Sequence, residues 1–171
     1  MLKKLLLMVL CLPALGYAEI QIPASIKVPD GHQAFLSVHA KGDQIYQCQT
    51  KDGGYHWQIQ APDARLFDDE GHIVGKHYEG PVWEYHEGSR VQGKILARHD
   101  KSADSAIPWL LVQIVGQSGQ SSFANTRYIQ RINTQAGLPP TTGCDGNHLG
   151  MEKRVAYTAD YVFYQAINGV R

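Results

Sequence analysis

Eight histidines lie along the 171 residues of the chain, and all of them follow residue 18. Imidazole is the commonest metal ligand in proteins, so this number raises the question of a metal site. The densest grouping is His72, His77 and His86, with His148 far away in sequence, and no HxH or HExxH spacing occurs. His77, His86 and His148 are therefore weak metal candidates. A structural, hydrogen-bonded histidine is the favoured interpretation of His77, and we predict no cofactor.

Aromatic rings stand among hydrogen-bonding side chains in the segment HYEGPVWEYH at 77–86. Such a mixture suits stacking on sugars, small molecules or the side chains of a partner protein. The candidate ligand-binding residues are His77, Tyr78, Trp83 and Glu84. The alternative is that Trp83 and Tyr85 are core residues of a strand, and it is slightly favoured over a binding surface.

Two segments come close to catalytic motifs without completing them. GSRVQGKI at 88–95 has the glycine and lysine spacing of a phosphate-binding loop, but Ile95 stands where magnesium requires Ser or Thr. GQSGQ at 116–120 misses the final glycine of a nucleophile elbow. We predict no catalytic residue and favour a protein that is not an enzyme.

The elements that would position these residues are strands. Tyr55, Trp57 and Ile59 alternate with polar residues, and 157–163 places Tyr, Ala, Tyr and Phe on one face. The apolar run at 107–115 favours a strand covered on both faces. Turn sequences rich in Gly, Asp and Ser separate these runs. The pattern predicts one all-β antiparallel domain, a sandwich or a partly open barrel of about nine or ten strands.

Two charged residues fall inside these predicted apolar strands. Arg131 lies between Ile129 and Asn133, and Asp160 lies between Thr158 and Val162. An unpaired charge at a buried position is costly. We therefore predict that Arg131 and Asp160 form a structural buried polar pair, either with each other or with another buried group.

The N-terminus has the pattern of an export signal. Lys3 and Lys4 precede an apolar stretch, and Gly16-Tyr17-Ala18 forms a small-x-small cleavage site. The apolar stretch falls short of the roughly 18–20 residues of a membrane span. We predict a signal peptide at 1–18, a mature domain at 19–171 without a transmembrane segment, and a periplasmic or secreted location.

Removal of the signal peptide leaves two of the three cysteines, Cys48 and Cys144. Two cysteines in an oxidising compartment most often pair, so we predict a disulfide between them. A reactive thiol or a metal ligand is the less favoured alternative. The disulfide would pin the long irregular stretch at 135–151.

Six blocks of sequence follow one another in an order that matches a known pattern. They are QIYQCQ at 44–49, GKHYEGPVWEYHEGS at 75–89, IPWLL at 107–111, YIQRINT at 128–134, GC at 143–144 and YTADYVFY at 157–164. Together they resemble the secreted bacterial and fungal domain-of-unknown-function family 3455, over about residues 26–164. The resemblance implies an exported, largely β domain that keeps both cysteines, and it implies no activity.

Composition narrows the possible functions. Sixteen basic and sixteen acidic residues give a formal net charge of zero, so a basic face for nucleic acid is not expected. The leading interpretation is an exported β module that binds a small molecule, a glycan or a surface protein. One alternative is a metal-binding or metal-dependent periplasmic protein that uses histidines. The other is a structural envelope protein without a ligand.

Overall fold

The computed structural model describes residues 20–100, 105–120 and 122–167, so the predicted signal peptide lies outside the described residues. Among them, no helix is long and apolar enough to cross a membrane. A short 3-10 helix, η1 (Ala24–Ile26), precedes the strands β1 (His32–Lys51), β2 (Gly54–Phe67), β3 (Ile73–Tyr78), β4 (Val82–Tyr85), β5 (Arg90–His99), β6 (Trp109–Ser118), β7 (Thr126–Ala136) and β8 (Glu152–Ala166).

The strands pair antiparallel in chain order, and β1 also pairs with β8, which closes one barrel. The predicted all-β class is confirmed, but the described residues form eight strands, and the sheet is closed. Fewer strands form because β1 runs for 20 residues without a break, past a shift in its register with β2 between Ile45 and Tyr46. Position 42 of β1 is occupied by a glycine, Gly42, because β1 and β2 approach closely there. A β-carbon at this position would clash with the carbonyl oxygen of Asp63.

Side chains at alternate strand positions fill the barrel, as the alternation of apolar and polar residues predicts. The inward face of β8 consists of four buried residues, Tyr157, Ala159, Tyr161 and Phe163. On the outside of β6 and β7, η1 packs Ile26 against Trp109, Leu111 and Ile132. The first four residues of β6 are consequently buried on both faces, in agreement with the apolar run at 107–115.

One end of the barrel is filled by aromatic packing, and we call it the closed end. Phe123, from the connection between β6 and β7, is fully buried and stacks on Phe163 with ring centroids 4.5 Å apart. Tyr85 contacts the edge of Phe123 at 5.2 Å. The polar groups nearby are paired, because Thr126 Oγ1 donates to the Phe123 carbonyl and Ser89 Oγ donates to Glu87.

The opposite end, which we call the open end, is overlaid by the connection between β7 and β8. The predicted disulfide Cys48–Cys144 is present and joins this connection to β1, with the two Cα atoms 5.3 Å apart. The Trp57 indole N–H donates to the Thr142 carbonyl at 2.9 Å. The Cys48 N–H also donates to the Met151 carbonyl. The long irregular stretch is therefore held in place by one covalent bond and several hydrogen bonds.

Candidate functional site

A cavity of about 400 Å³ lies inside the open end of the barrel. Part of its wall is apolar and comes from the inner faces of β6 and the overlying connection. These apolar lining residues are Ile107, Pro108, Leu110, Val112, Leu138 and Pro139. The rest of the wall carries polar side chains, and six of them come from five strands: Gln44, Tyr46, His77, Trp83, Arg131 and Tyr161. The cavity is thus amphipathic, and its polar groups converge from around the ring.

Three polar atoms on this wall are buried without a hydrogen-bond partner. They are Gln44 Nε2, Trp83 Nε1 and the Tyr161 hydroxyl, on side chains that are 5%, 2% and 1% exposed. Burial raises the pKa of the Tyr157 hydroxyl on the same inner face of β8, and the neighbouring side chains of Tyr161 and Gln44 also act on that pKa. No hydrogen bond of ordinary geometry joins these three groups. Buried polar groups in folded proteins are nearly always hydrogen-bonded, and an unsatisfied one costs about 1–3 kcal/mol.

His77 presents a neutral imidazole to the cavity. Its ring stacks on Trp83 with centroids 4.1 Å apart, and the edge of Tyr161 lies 5.2 Å away. Burial is the main reason that the pKa of His77 is lowered to about 3. The hydrogen bond to Val82 opposes this decrease, whereas the positive charge of Arg131 adds to it. Nδ1 lies 2.8 Å from the Val82 carbonyl oxygen, so it carries the proton and Nε2 is an acceptor.

Arg131 is the buried charge of the open end and is 9% exposed. Its Nε and Nη2 both donate to the carbonyl oxygen of Pro108, at 3.0 and 2.9 Å. Tyr46 lies in the same wall and donates its hydroxyl to the Gly137 carbonyl at 2.6 Å. Burial raises the pKa of Tyr46 to about 12, although the charge of Arg131 opposes that rise. Both tyrosine and histidine therefore stay neutral around a permanent cation.

Comparison with family models matches residues 29–165 to the family described as "Protein of unknown function (DUF3455)". The chain belongs to the DUF3455 family. The match spans β1 to β7 and all but the last residue of β8, so it contains the whole wall of the cavity. No curated protein and no solved structure matches the chain.

The four candidate ligand-binding residues of this DUF3455 chain are divided between the two faces of the sheet. His77 and Trp83 pair across β3 and β4 and point into the barrel. Tyr78 and Glu84 lie on the outer face, where the Tyr78 hydroxyl donates to Glu84 Oε2 at 2.7 Å. That hydrogen bond, followed by the cations Lys76 and Arg90, lowers the pKa of Glu84. The four candidate residues therefore divide into two groups. His77 and Trp83 belong to an internal site, and Tyr78 and Glu84 belong to a separate external ion cluster.

The histidines proposed as weak metal ligands do not converge. His86 is an exposed neighbour of Glu87 at 3.5 Å, and His148 lies 2.7 Å from Asp145 in the connection over the open end. In the described part of this DUF3455 chain, one group could hold an ion, formed by Asp68, Glu70 and His72 on the turn before β3. This group includes none of His77, His86 and His148, and exposed acidic turns of this kind are common without a metal.

Arg131 and Asp160 also lie on opposite faces, so they do not pair with each other. Each finds a different partner: Arg131 bonds the Pro108 carbonyl inside, and Asp160 bonds His39 and Asn133 outside, both at 2.7 Å. The Asp160 network lines an outer cleft of about 930 Å³. The hydrogen bond that His39 donates to the Asp160 carboxylate is the main reason that the pKa of His39 is raised. In this cleft, His39 and Asn133 are hydrogen-bonded to Asp160, and His39 also to Asp69.

The sequence analysis did not single out three residues of the internal site, Gln44, Tyr46 and Tyr161. Tyr161 was placed on one face of its strand together with Tyr157, Ala159 and Phe163, but it was given no functional role. The sequence does contain an indication, because a tyrosine between Ala159 and Phe163 must bury a hydroxyl in an apolar layer. Gln44 and Tyr46 share the strand parity of the buried residue Cys48, so alternation along β1 could have indicated that they face inward.

Proposed function

We propose that the protein binds a small organic ligand inside the open end of its barrel. The observation that carries the proposal is the set of unpartnered polar atoms on the cavity wall: Gln44 Nε2, Trp83 Nε1 and the Tyr161 hydroxyl. Water or ligand atoms that accept or donate hydrogen bonds there would recover the free energy lost by burying these groups. A ligand also removes the apolar wall of the cavity from contact with water, and bound water molecules do not.

The size and shape of the cavity support a small ligand. Eight-stranded barrels enclose an interior that is either filled by side chains or just wide enough for one small molecule. In this chain the closed end takes the first form and the open end the second. A volume of about 400 Å³ falls within the range of ligand pockets, and apolar walls with a few convergent polar groups are typical of them.

A binding role is favoured over catalysis by the chemistry of the wall. The described residues that line the cavity include no Ser, Thr, Cys, Asp or Glu. The usual hydroxyl, thiol and carboxylate nucleophiles and bases are therefore not among them. The disulfide fits an oxidising compartment, which supports our proposal that the protein is exported and acts in the periplasm or outside the cell.

Nuclear magnetic resonance of the indole N–H groups tests the proposal directly. The chain has three tryptophans, and Trp83 faces the cavity whereas Trp109 packs under η1 on the outside. Small aromatic and aliphatic fragments, both neutral and charged, would be titrated into the nitrogen-labelled mature protein. We expect saturable shifts of the Trp83 signal and none of the Trp109 signal. If no fragment moves the Trp83 signal, the cavity does not admit ligands and the proposal is wrong.

A further inference from the structure

The charges around the cavity are all of one sign. Its described lining contains two arginines, Arg98 and Arg131, and neither Asp nor Glu. Arg98 is exposed at the mouth, whereas Arg131 is buried in the wall. Guanidinium groups stay protonated at any physiological pH, and His77 beside them is neutral. The open end is therefore a cationic compartment.

Among the residues that the structure describes, Arg131 has no anionic partner. A buried cation is usually paired with an anion, since removing a charge from water costs several kcal/mol. Here the Pro108 carbonyl, a neutral group, accepts from Nε and Nη2. A guanidinium has five N–H groups, so three are not used by this carbonyl. Within the described part of the chain, the cation is therefore held in place without being neutralised.

The uncharged polar atoms without partners around Arg131 can all donate hydrogen bonds. Trp83 Nε1 is a donor only, the Gln44 amide nitrogen donates, and the Tyr161 hydroxyl can donate, whereas His77 Nε2 on the same wall is an acceptor. Carboxylate oxygens accept only, and arginine binds a carboxylate through two parallel N–H···O bonds. These donors around a guanidinium without a counter-ion among the described residues match a carboxylate better than they match a hydroxyl, an amine or a neutral amide.

We infer that the ligand of the open end carries a carboxylate bound by Arg131, attached to a compact apolar or aromatic body that lies against Leu110, Val112 and Leu138. This inference rests on the proposed function and specifies its ligand class. The carboxylate would neutralise the buried guanidinium, and Arg98 at the mouth would attract it from solution. The apolar body would fill the remainder of the cavity.

A matched pair of probes isolates the contribution of the charge. Cinnamate and cinnamamide have nearly the same shape, and only the first carries a carboxylate. Titration of each into the mature protein, followed by the Trp83 indole signal, gives two dissociation constants. We expect cinnamate to bind about tenfold more tightly or better, as charge-assisted hydrogen bonds predict. Equal affinities with a shifted Trp83 signal overturn the carboxylate inference and leave the proposed function intact. A Trp83 signal that neither probe moves overturns the proposed function itself.

Two arginine variants then locate the effect. R131Q should reduce the affinity for cinnamate to about that for cinnamamide, because Gln can still donate to Pro108 but carries no charge. R98Q is the matched control, since it removes the same charge from the exposed mouth, and it should keep the preference for cinnamate. An equal loss in both variants overturns the assignment to Arg131. If R131Q does not fold, R131K keeps the charge without the two-pronged geometry, and the inference then requires a reduced but measurable preference for the acid.

Discussion

The two ends of the barrel differ in how they treat buried polar groups. At the closed end, Phe123 and Phe163 stack, and the hydroxyls of Ser89 and Thr126 are hydrogen-bonded. At the open end, the Tyr161 hydroxyl is buried on the cavity wall, next to the Tyr157 hydroxyl, without a hydrogen bond of ordinary geometry. Both ends belong to one sheet and share the same strands. The difference therefore lies in the inward residues of each strand and not in the fold.

This difference indicates that the two ends of the barrel have different roles, one in stability and the other in binding. Close packing with satisfied polar groups contributes stability, whereas unsatisfied groups lower stability and are retained in binding sites. The closed end should thus determine how strongly the barrel folds, and the open end should determine what it binds. Four experiments separate these two roles.

The largest effect is expected from the disulfide that secures the open end. Replacing Cys48 and Cys144 together by Ser frees a loop closed across 96 residues, which the chain-entropy model values at about 4–5 kcal/mol. Probe affinity should fall as well, because Leu138 and Pro139 of the tethered connection line the cavity. Urea unfolding and Trp83 titration measure the two effects. A loss below about 1 kcal/mol with unchanged affinity would show that the hydrogen bonds alone hold the connection.

Phe123→Ala tests the closed end. Truncation of this fully buried ring should destabilise the protein by about 3–5 kcal/mol through lost burial and an added void. Chemical denaturation measures the loss, and Phe123→Leu should lose less because it refills part of the space. Probe affinity of the folded fraction should not change, since Phe123 does not line the cavity. A changed affinity would mean that the two ends are coupled.

The pH dependence of stability tests whether the open end excludes water from His77. The folded pKa of about 3 lies below the unfolded value of 6.5, so the unfolded state takes up a proton first as the pH falls. The contribution of His77 to the free energy of unfolding is fully present above pH 6.5. It decreases toward pH 3 by about 1.4 kcal/mol per pH unit. His77→Gln should remove this part of the slope between pH 6 and 4, whereas the exposed control His86→Gln should not. Identical slopes in wild type and His77→Gln would show that the imidazole is hydrated.

The smallest effect distinguishes partnered from unpartnered hydroxyls. Tyr161→Phe removes a hydroxyl without a partner, so the free energy of unfolding should change by less than about 1 kcal/mol. Tyr46→Phe removes the donor to the Gly137 carbonyl and should lose about 1–2 kcal/mol. Thermal or urea unfolding of both variants at one pH makes the comparison. A larger loss for Tyr161→Phe would show that its hydroxyl is already bonded in solution.

The sequence predicts the layers of this fold better than it predicts the site. Alternation within one strand correctly placed Tyr157, Ala159, Tyr161 and Phe163 on one face and covered β6 on both faces. The hairpin of β3 and β4 is centred on Gly80, and residues opposite each other share a face. Local counting around that glycine separates His77 and Trp83 from Tyr78 and Glu84, so the four candidate residues lie on two faces of the hairpin.

The pairing between distant strands could not be read from the sequence. The prediction left the partners of Arg131 and Asp160 open, and the structure places Arg131 opposite Tyr161 and gives β7 a register shift between Ile132 and Gln135. The periodicity of either strand predicts neither the pairing nor the register shift, because register depends on the partner strand and on bulges. For the same reason the convergence of Gln44, Trp83 and Arg131 from three different strands could not be read from any one segment.

The pairing of β1 with β8 has a kinetic consequence. Those strands join His32 with Ala166 and Gln47 with Glu152, so the ring cannot close before the last strand exists. Contacts between such distant parts of a chain form slowly, since the loop entropy is lost before the contacts stabilise the product. We therefore expect ring closure to be the late, rate-limiting event of folding, and the cavity to exist only after it.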